Sequence, residues 1–222
     1  MNLVSLDFPQ RKIKKNYRSI TGHFPSVKNN RSVSFESLLE KSLFLILEFD
    51  STVESYMEQP QITIEYNQKS KIYSADCFIK YTQTSSKKNT IVEVKYTSEL
   101  EKEKEKLELK FNNIRNHVES MNMDFVIFTE NEFSKTYIEN LDFLYRYKTH
   151  NLDSNHSNKI LDILKEPISA EDLATLIAKT KIEYFQLANS IWQLVAMNQL
   201  CVDLNQEVLS MKSIVRKNNG HH

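Results

Sequence analysis

Two glycines and four prolines are all that 222 residues contain, and that scarcity excludes several functions at once. A phosphate-cradling loop needs closely spaced glycines, and neither the P-loop pattern nor GxGxxG is present, so nucleotide binding by those devices is ruled out. Cys77 and Cys201 are the only cysteines, too few for a disulfide framework and too far apart for a metal knuckle. No apolar run approaches the ~18–20 residues that span a bilayer. The opening MNLVSLDFPQRKIKK has no apolar signal core. The expectation is a cytoplasmic protein without membrane contact.

Neither sign of charge dominates, with 29 basic and 29 acidic residues, but the distribution is uneven. Arg11, Lys12, Lys14, Lys15, Arg18, Lys28 and Arg31 face a single acid, Asp7, in residues 1–35. Such an arm suits a phosphate backbone. It equally suits a solvated, loosely ordered N-terminus.

Apolar spacing predicts a helix over 35–49 (FESLLEKSLFLILEF), with Ser32 or Ser34 as N-cap. TVESYMEQ, QITIEYNQ, SKIYSADCFIKYT and TIVEVKYT then read as strands. A helix follows over 99–121, with Leu100, Leu107, Phe111, Ile114, Val118 and Met121 on one face. Its EKEKEK run reads as a solvated face. Next come the strand DFVIFTE and a helix from about Ser134 to Tyr147. This order defines an α/β domain with a mixed sheet.

The expected divisions are a basic arm over 1–34, the α/β domain over 35–148, a polar linker over 149–158, and a small domain over 159–222. In the last, three helices and a hairpin have the layout of a winged helix. No Lys or Arg occurs between residues 182 and 211, so the expectation for residues 159–222 is contact with protein more than with DNA.

The strand IVEVKYT (91–97) is interrupted by Glu93 and Lys95. Side chains two apart share a face, so the pair is either a solvated outer face or a carboxylate for a metal beside an amine for water or phosphate. Asp76 lies in the preceding apolar stretch, where an unpaired aspartate is costly. It is either an edge carboxylate or, with Glu93, an oxygen ligand of the kind Mg²⁺ prefers. Glu36 and Glu40 both fall in the apolar arc of the first helix. Glu36 is expected in the first turn, where the dipole favours an acid. Glu40, one turn further in, needs a partner and is the stronger functional candidate.

Helix Glu, strand Asp, then Glu-x-Lys is the layout of the PD-(D/E)xK nuclease fold. The ordered runs SITGHFPSVKNNRSVSFESLLEKSLFLILEFDSTVESYMEQP, YSADCFI, VEVKYT, DFVIFTENE and ENLDFLYRYKT resemble the TnsA family, the endonuclease subunits of heteromeric bacterial cut-and-paste transposases. The resemblance covers nearly the whole chain. It implies a restriction-endonuclease-like domain followed by a winged-helix-like domain. It further implies Mg²⁺, replaceable by Mn²⁺, on Asp76, Glu93 and the Val94 carbonyl. Lys95 would orient the attacking water, and Glu40 would bind a second ion or a water. Ala75 replaces the proline usual before the aspartate. The implied activity is hydrolysis of the non-joined strand at transposon ends, alongside a TnsB-like transposase and a TnsC-like AAA+ ATPase. The alternatives are an independent restriction- or resolvase-type nuclease and a non-catalytic DNA-binding adaptor.

Overall fold

The computed structural model describes residues 8, 10–11, 20–66, 69–149 and 153–218. Lys12, Lys14, Lys15 and Arg18 lie outside the described residues. The chain divides into two compact units, Met1–Glu132 and Phe133–His222.

Residues 22–35, expected within the basic arm and the start of the first helix, form a hairpin. Strands β1 (Gly22–Ser26) and β2 (Arg31–Phe35) pair antiparallel. Phe24, Val33 and Phe35 alternate inward and are buried, while Asn30 turns the chain with a φ of 49°, a conformation asparagine tolerates. Helix α1 (Leu38–Phe49) follows. Its N-cap is Ser37, whose side chain accepts the Glu40 N–H. Ser32 and Ser34 are strand residues, so the cap predicted there falls three to five residues early. Buried Glu48 fastens the hairpin to α1 by accepting Ser26 Oγ at 2.5 Å, Tyr56 OH at 2.8 Å and the Lys28 N–H at 3.2 Å.

The main sheet has the order β3-β6-β7-β8, from β3 (Val53–Glu58), β6 (Cys77–Tyr81), β7 (Thr90–Val94) and β8 (Asp124–Phe128). Its first three strands are antiparallel and β7–β8 is parallel, giving the expected mixed sheet. Strands β4 (Gln61–Tyr66) and β5 (Lys69–Ser74) form a separate hairpin. The stretch SKIYSADCFIKYT, predicted as one strand, is therefore two, broken at Ala75-Asp76. There the Ala75 N–H bonds to the Pro60 carbonyl and the Asp76 N–H to the Val92 carbonyl.

Short α2 (Thr97–Lys102) and α3 (Lys104–Ser120) fill the predicted 99–121 helix, with a break at Glu103. Leu107, Phe111, Ile114 and Val118 of α3 pack with Ile62, Ile64, Tyr73, Phe78, Ile91 and Phe125. Each such side chain taken from water stabilises the unit by about 1.5–3 kcal/mol.

The second unit contains α4 (Lys135–Lys148), α5 (Ser154–Ile163), β9 (Ile168–Ser169), α6 (Ala170–Ile177), α7 (Lys181–Ala196), β10 (Leu200–Cys201) and β11 (Ile214–Lys217). The strands pair in the order β10-β11-β9. Two boundaries differ from expectation. Helix α5 begins at Ser154, inside the predicted linker, because Asp153 caps it. Helix α4 groups with the second unit, so the first does not extend to residue 148. Fully buried Asn140 explains this: it donates to the carbonyls of Leu204 and Glu207 and accepts the Leu209 N–H.

Candidate active site

Glu93 lies on β7 and shares the sheet face of Ile91, the face covered by α3. It is almost completely buried, which settles the choice between solvated face and inward site. Tyr73 of β5 donates its hydroxyl to Glu93 Oε2, and Lys110 of α3 approaches Oε1 at 3.6 Å. Lys110 also stands over the Tyr73 ring, 4.8 Å from its centre. Burial, followed by the charge of Glu93, raises the Tyr73 pKa and keeps the phenol a donor.

Asp76 occupies the break between β5 and β6. Its Oδ2 accepts the Val94 N–H at 2.7 Å, which binds the aspartate to the strand carrying Glu93. Lys95 follows β7, its N–H bonded to the Phe128 carbonyl. Its ammonium lies 3.0 Å from the Val94 carbonyl oxygen, 3.2 Å from Glu93 Oε1 and 3.6 Å from Asp76 Oδ2. Three oxygens thus converge on one positive charge. Burial, and after it the charge of Glu93, push the Asp76 carboxyl up to about 6. For Lys95, burial opposes the charge, but Asp76 and Glu93 outweigh it and hold the ammonium above its usual pKa.

Glu40 sits in the first turn of α1, not a turn further in, and so has the first-turn place that was expected of Glu36. Its Oε1 accepts Ser37 Oγ and its Oε2 accepts the Glu36 N–H, both at 3.1 Å, a reciprocal arrangement with the Ser37 cap. Burial nevertheless pushes its carboxyl up to about 7, and the charge of Asp76 adds to the rise. Glu36 precedes the helix and pairs with Arg11 at 2.6 Å.

The two described members of the predicted DNA-binding set are engaged internally. Lys28 Nζ donates to the carbonyls of Asp50 and Val53, at 2.8 and 2.6 Å. The Arg11 guanidinium donates to Glu36 and Gln59. Both cations thus have partners within the first unit, and their contact with DNA stays a proposal. The sequence reading also passed over Tyr73, Lys110 and Gln59. Tyr73, three residues before Asp76, was the most accessible signal.

Among the described residues, no three His, Cys, Asp or Glu side chains form a metal-binding group by themselves. Asp76, Glu93, the Val94 carbonyl and Lys95 instead make a mixed cluster at the end of a central strand pair. A mixed sheet bearing that cluster fits an endonuclease domain. Residues 50–130 match the family model described as TnsA-like endonuclease N terminal. That match makes this stretch similar to the N-terminal endonuclease domain of TnsA-like proteins. The matched stretch contains Asp76, Glu93 and Lys95, whereas Glu40 and the second unit lie outside it. Comparison with curated proteins gave no match. Among the described residues no helix is long and apolar enough to cross a membrane.

Proposed function

We propose that this chain is a Mg²⁺-dependent DNA endonuclease that hydrolyses the non-joined strand at transposon ends, working with a TnsB-like transposase and a TnsC-like AAA+ ATPase. The observation that carries this reading is the convergence of Asp76 Oδ2, Glu93 Oε1 and the Val94 carbonyl oxygen on the Lys95 ammonium, within the matched endonuclease stretch.

These donors are all hard oxygens gathered around a positive charge, a set that suits Mg²⁺ or Mn²⁺. Asp76, Glu93 and the Val94 carbonyl would hold the ion, with Glu40 available for a second ion or a water. Bound there, the ion supplies charge stabilisation at the scissile phosphate and acidifies water. Lys95, kept charged by its two carboxylates, orients the attacking water and neutralises charge developing on the phosphate oxygens. Tyr73 and Lys110 hold Glu93 in place. Buried, the site excludes much of the bulk water that would weaken these charges.

The second unit is read as a winged-helix-like module. Its support is the order helix, strand, two helices, two strands from α5 to β11, with β11 between β10 and β9.

The test combines the chain with transposon-end DNA, Mg²⁺, the partner transposase and the ATPase, and maps cuts on each strand. The expected result is a non-joined-strand cut that requires this chain, Mg²⁺ and both partners. Robust cutting by the chain alone would favour an independent nuclease, and no cut under any condition would favour the adaptor.

A further inference from the structure

Gln59 follows β3 with a φ of 52°, in the left-handed region that costs any residue bearing a Cβ. Such conformations persist where the surroundings over-determine them, and they concentrate at functional sites. Gln59 is also almost wholly buried, at 1% exposure. Pro60 comes next and places no donor of its own at the corner.

All four polar groups of Gln59 are committed. Its main-chain N–H donates to the Asp76 carbonyl at 3.0 Å, and its carbonyl accepts the Arg11 N–H at 3.0 Å. Its side-chain Oε1 accepts from Arg11 Nη2 at 2.6 Å, Arg11 Nε at 3.1 Å and Ser74 Oγ at 3.4 Å. Three donors on that oxygen fix the orientation of the amide, because a flipped NH₂ would face them with no acceptor. The amide nitrogen is thereby left toward Asp76 Oδ1, at 3.5 Å. Arg11 completes a second link, since its Nη2 also bonds Glu36 Oε2 at 2.6 Å. The Glu36 N–H in turn is held by Glu40 Oε2. One guanidinium therefore joins the chain behind Asp76 to the chain behind Glu40.

From this geometry we infer that Gln59 is a positioning residue for Asp76, aimed by Arg11, and that the segment carrying Gln10 and Arg11 is part of the active-site scaffold. Gln10 supports that placement with a bridge to Pro60 and a side-chain bond to the Glu58 carbonyl. The inference rests on the proposed role of Asp76 as a metal-holding carboxylate. Oδ2 accepts the Val94 N–H at 2.7 Å and Oδ1 faces the Gln59 amide at 3.5 Å, so the carboxylate is oriented from both oxygens. Outer partners that orient a ligating carboxylate typically change metal affinity 10–100-fold when removed.

The test uses the full chain and the variants Gln59→Asn and Asp76→Ala, with two readouts. Asparagine accepts a positive φ but is one methylene short, so a role confined to the turn survives this substitution. Calorimetric titration with Mn²⁺ should show affinity about tenfold weaker in Gln59→Asn, in a chain that stays folded but melts lower for the lost Arg11 and Ser74 contacts, and no binding in Asp76→Ala. Equal affinity in the parent and Gln59→Asn would overturn the inference. The second readout is the Gln59 side-chain amide in a ¹H–¹⁵N spectrum, which should be protected from exchange in the parent and should shift and lose protection in Asp76→Ala. An amide that exchanges freely and is indifferent to Asp76 would overturn it too. If the parent fails to bind Mn²⁺, the proposed function falls, and the amide signal still decides whether Gln59 holds Asp76.

Discussion

Glu40 serves two ends that pull against each other. Its carboxylate closes the N-terminus of α1 by accepting from Ser37 and Glu36, yet burial lifts its pKa from 4.5 to about 7. The folded chain then binds the proton more tightly than the unfolded chain. The stabilising contribution is complete below about pH 4 and is lost as pH rises through about 7. Glu40→Gln keeps a carbonyl acceptor for the Glu36 N–H and removes the charge. In metal-free denaturant unfolding it should match the parent near pH 4.5 and exceed it near pH 8, by on the order of 3 kcal/mol. A gap of the same size at both pH values would mean that Glu40 is ionised without cost. The motif made Glu40 visible in the sequence, but its capping role was not, because the cap was sought at Ser32 or Ser34 and lies at Ser37.

Among the elements, the β1–β2 hairpin and α4 carry the sharpest tests. Lys28 Nζ bridges the Asp50 carbonyl after α1 and the Val53 carbonyl at the start of β3, and burial lowers its pKa. Lys28→Ala should cost about 1–2 kcal/mol in unfolding free energy and leave the salt dependence of DNA binding unchanged. A salt slope smaller by about one released ion would mean that Lys28 contacts the DNA backbone after all. For α4, Asn140→Ala strands the Leu204 and Glu207 carbonyls and the N–H of buried Leu209 in a largely exposed loop and should cost about 1–3 kcal/mol. Asn140→Asp should cost more, since it turns an oxygen toward two carbonyl oxygens. If denaturant unfolding finds either variant as stable as the parent, α4 is not anchored through Asn140.

The helices α3 and α4 were legible because their apolar residues recur at helical spacing over several turns. The β1–β2 hairpin was hidden by counting charge over 1–35 instead of following the alternation that buries Phe24, Val33 and Phe35. The break at Ala75-Asp76 was not legible either. It depends on bonds to Pro60 and Val92, which local composition does not encode. Gln59 and Arg11, 48 positions apart, meet only once the chain has folded.

At the scale of the whole molecule, the two units divide the chemistry. Asp76, Glu93, Lys95 and Glu40 all belong to the first. The second has no basic residue between 182 and 211 and exposes Leu176, Ile182 and Phe185. Phosphate contact needs cations, so this cation-free stretch, unlike the lysine-bearing remainder of the unit, is expected to contact protein. A fragment spanning 133–222, which keeps α4 with its partners, should retain the partner transposase or ATPase in a pull-down and fail to shift end DNA in a gel. Tight DNA binding without either partner would reverse that assignment. The central claim is that Asp76 holds the catalytic metal for one specific cut. It is tested most directly by Asp76→Ala in the reconstituted transposition reaction, scored strand by strand. The account predicts that the non-joined-strand cut disappears while the joined-strand cut and the circular dichroism spectrum stay as in the parent. A non-joined-strand cut that persists in the folded variant would contradict it.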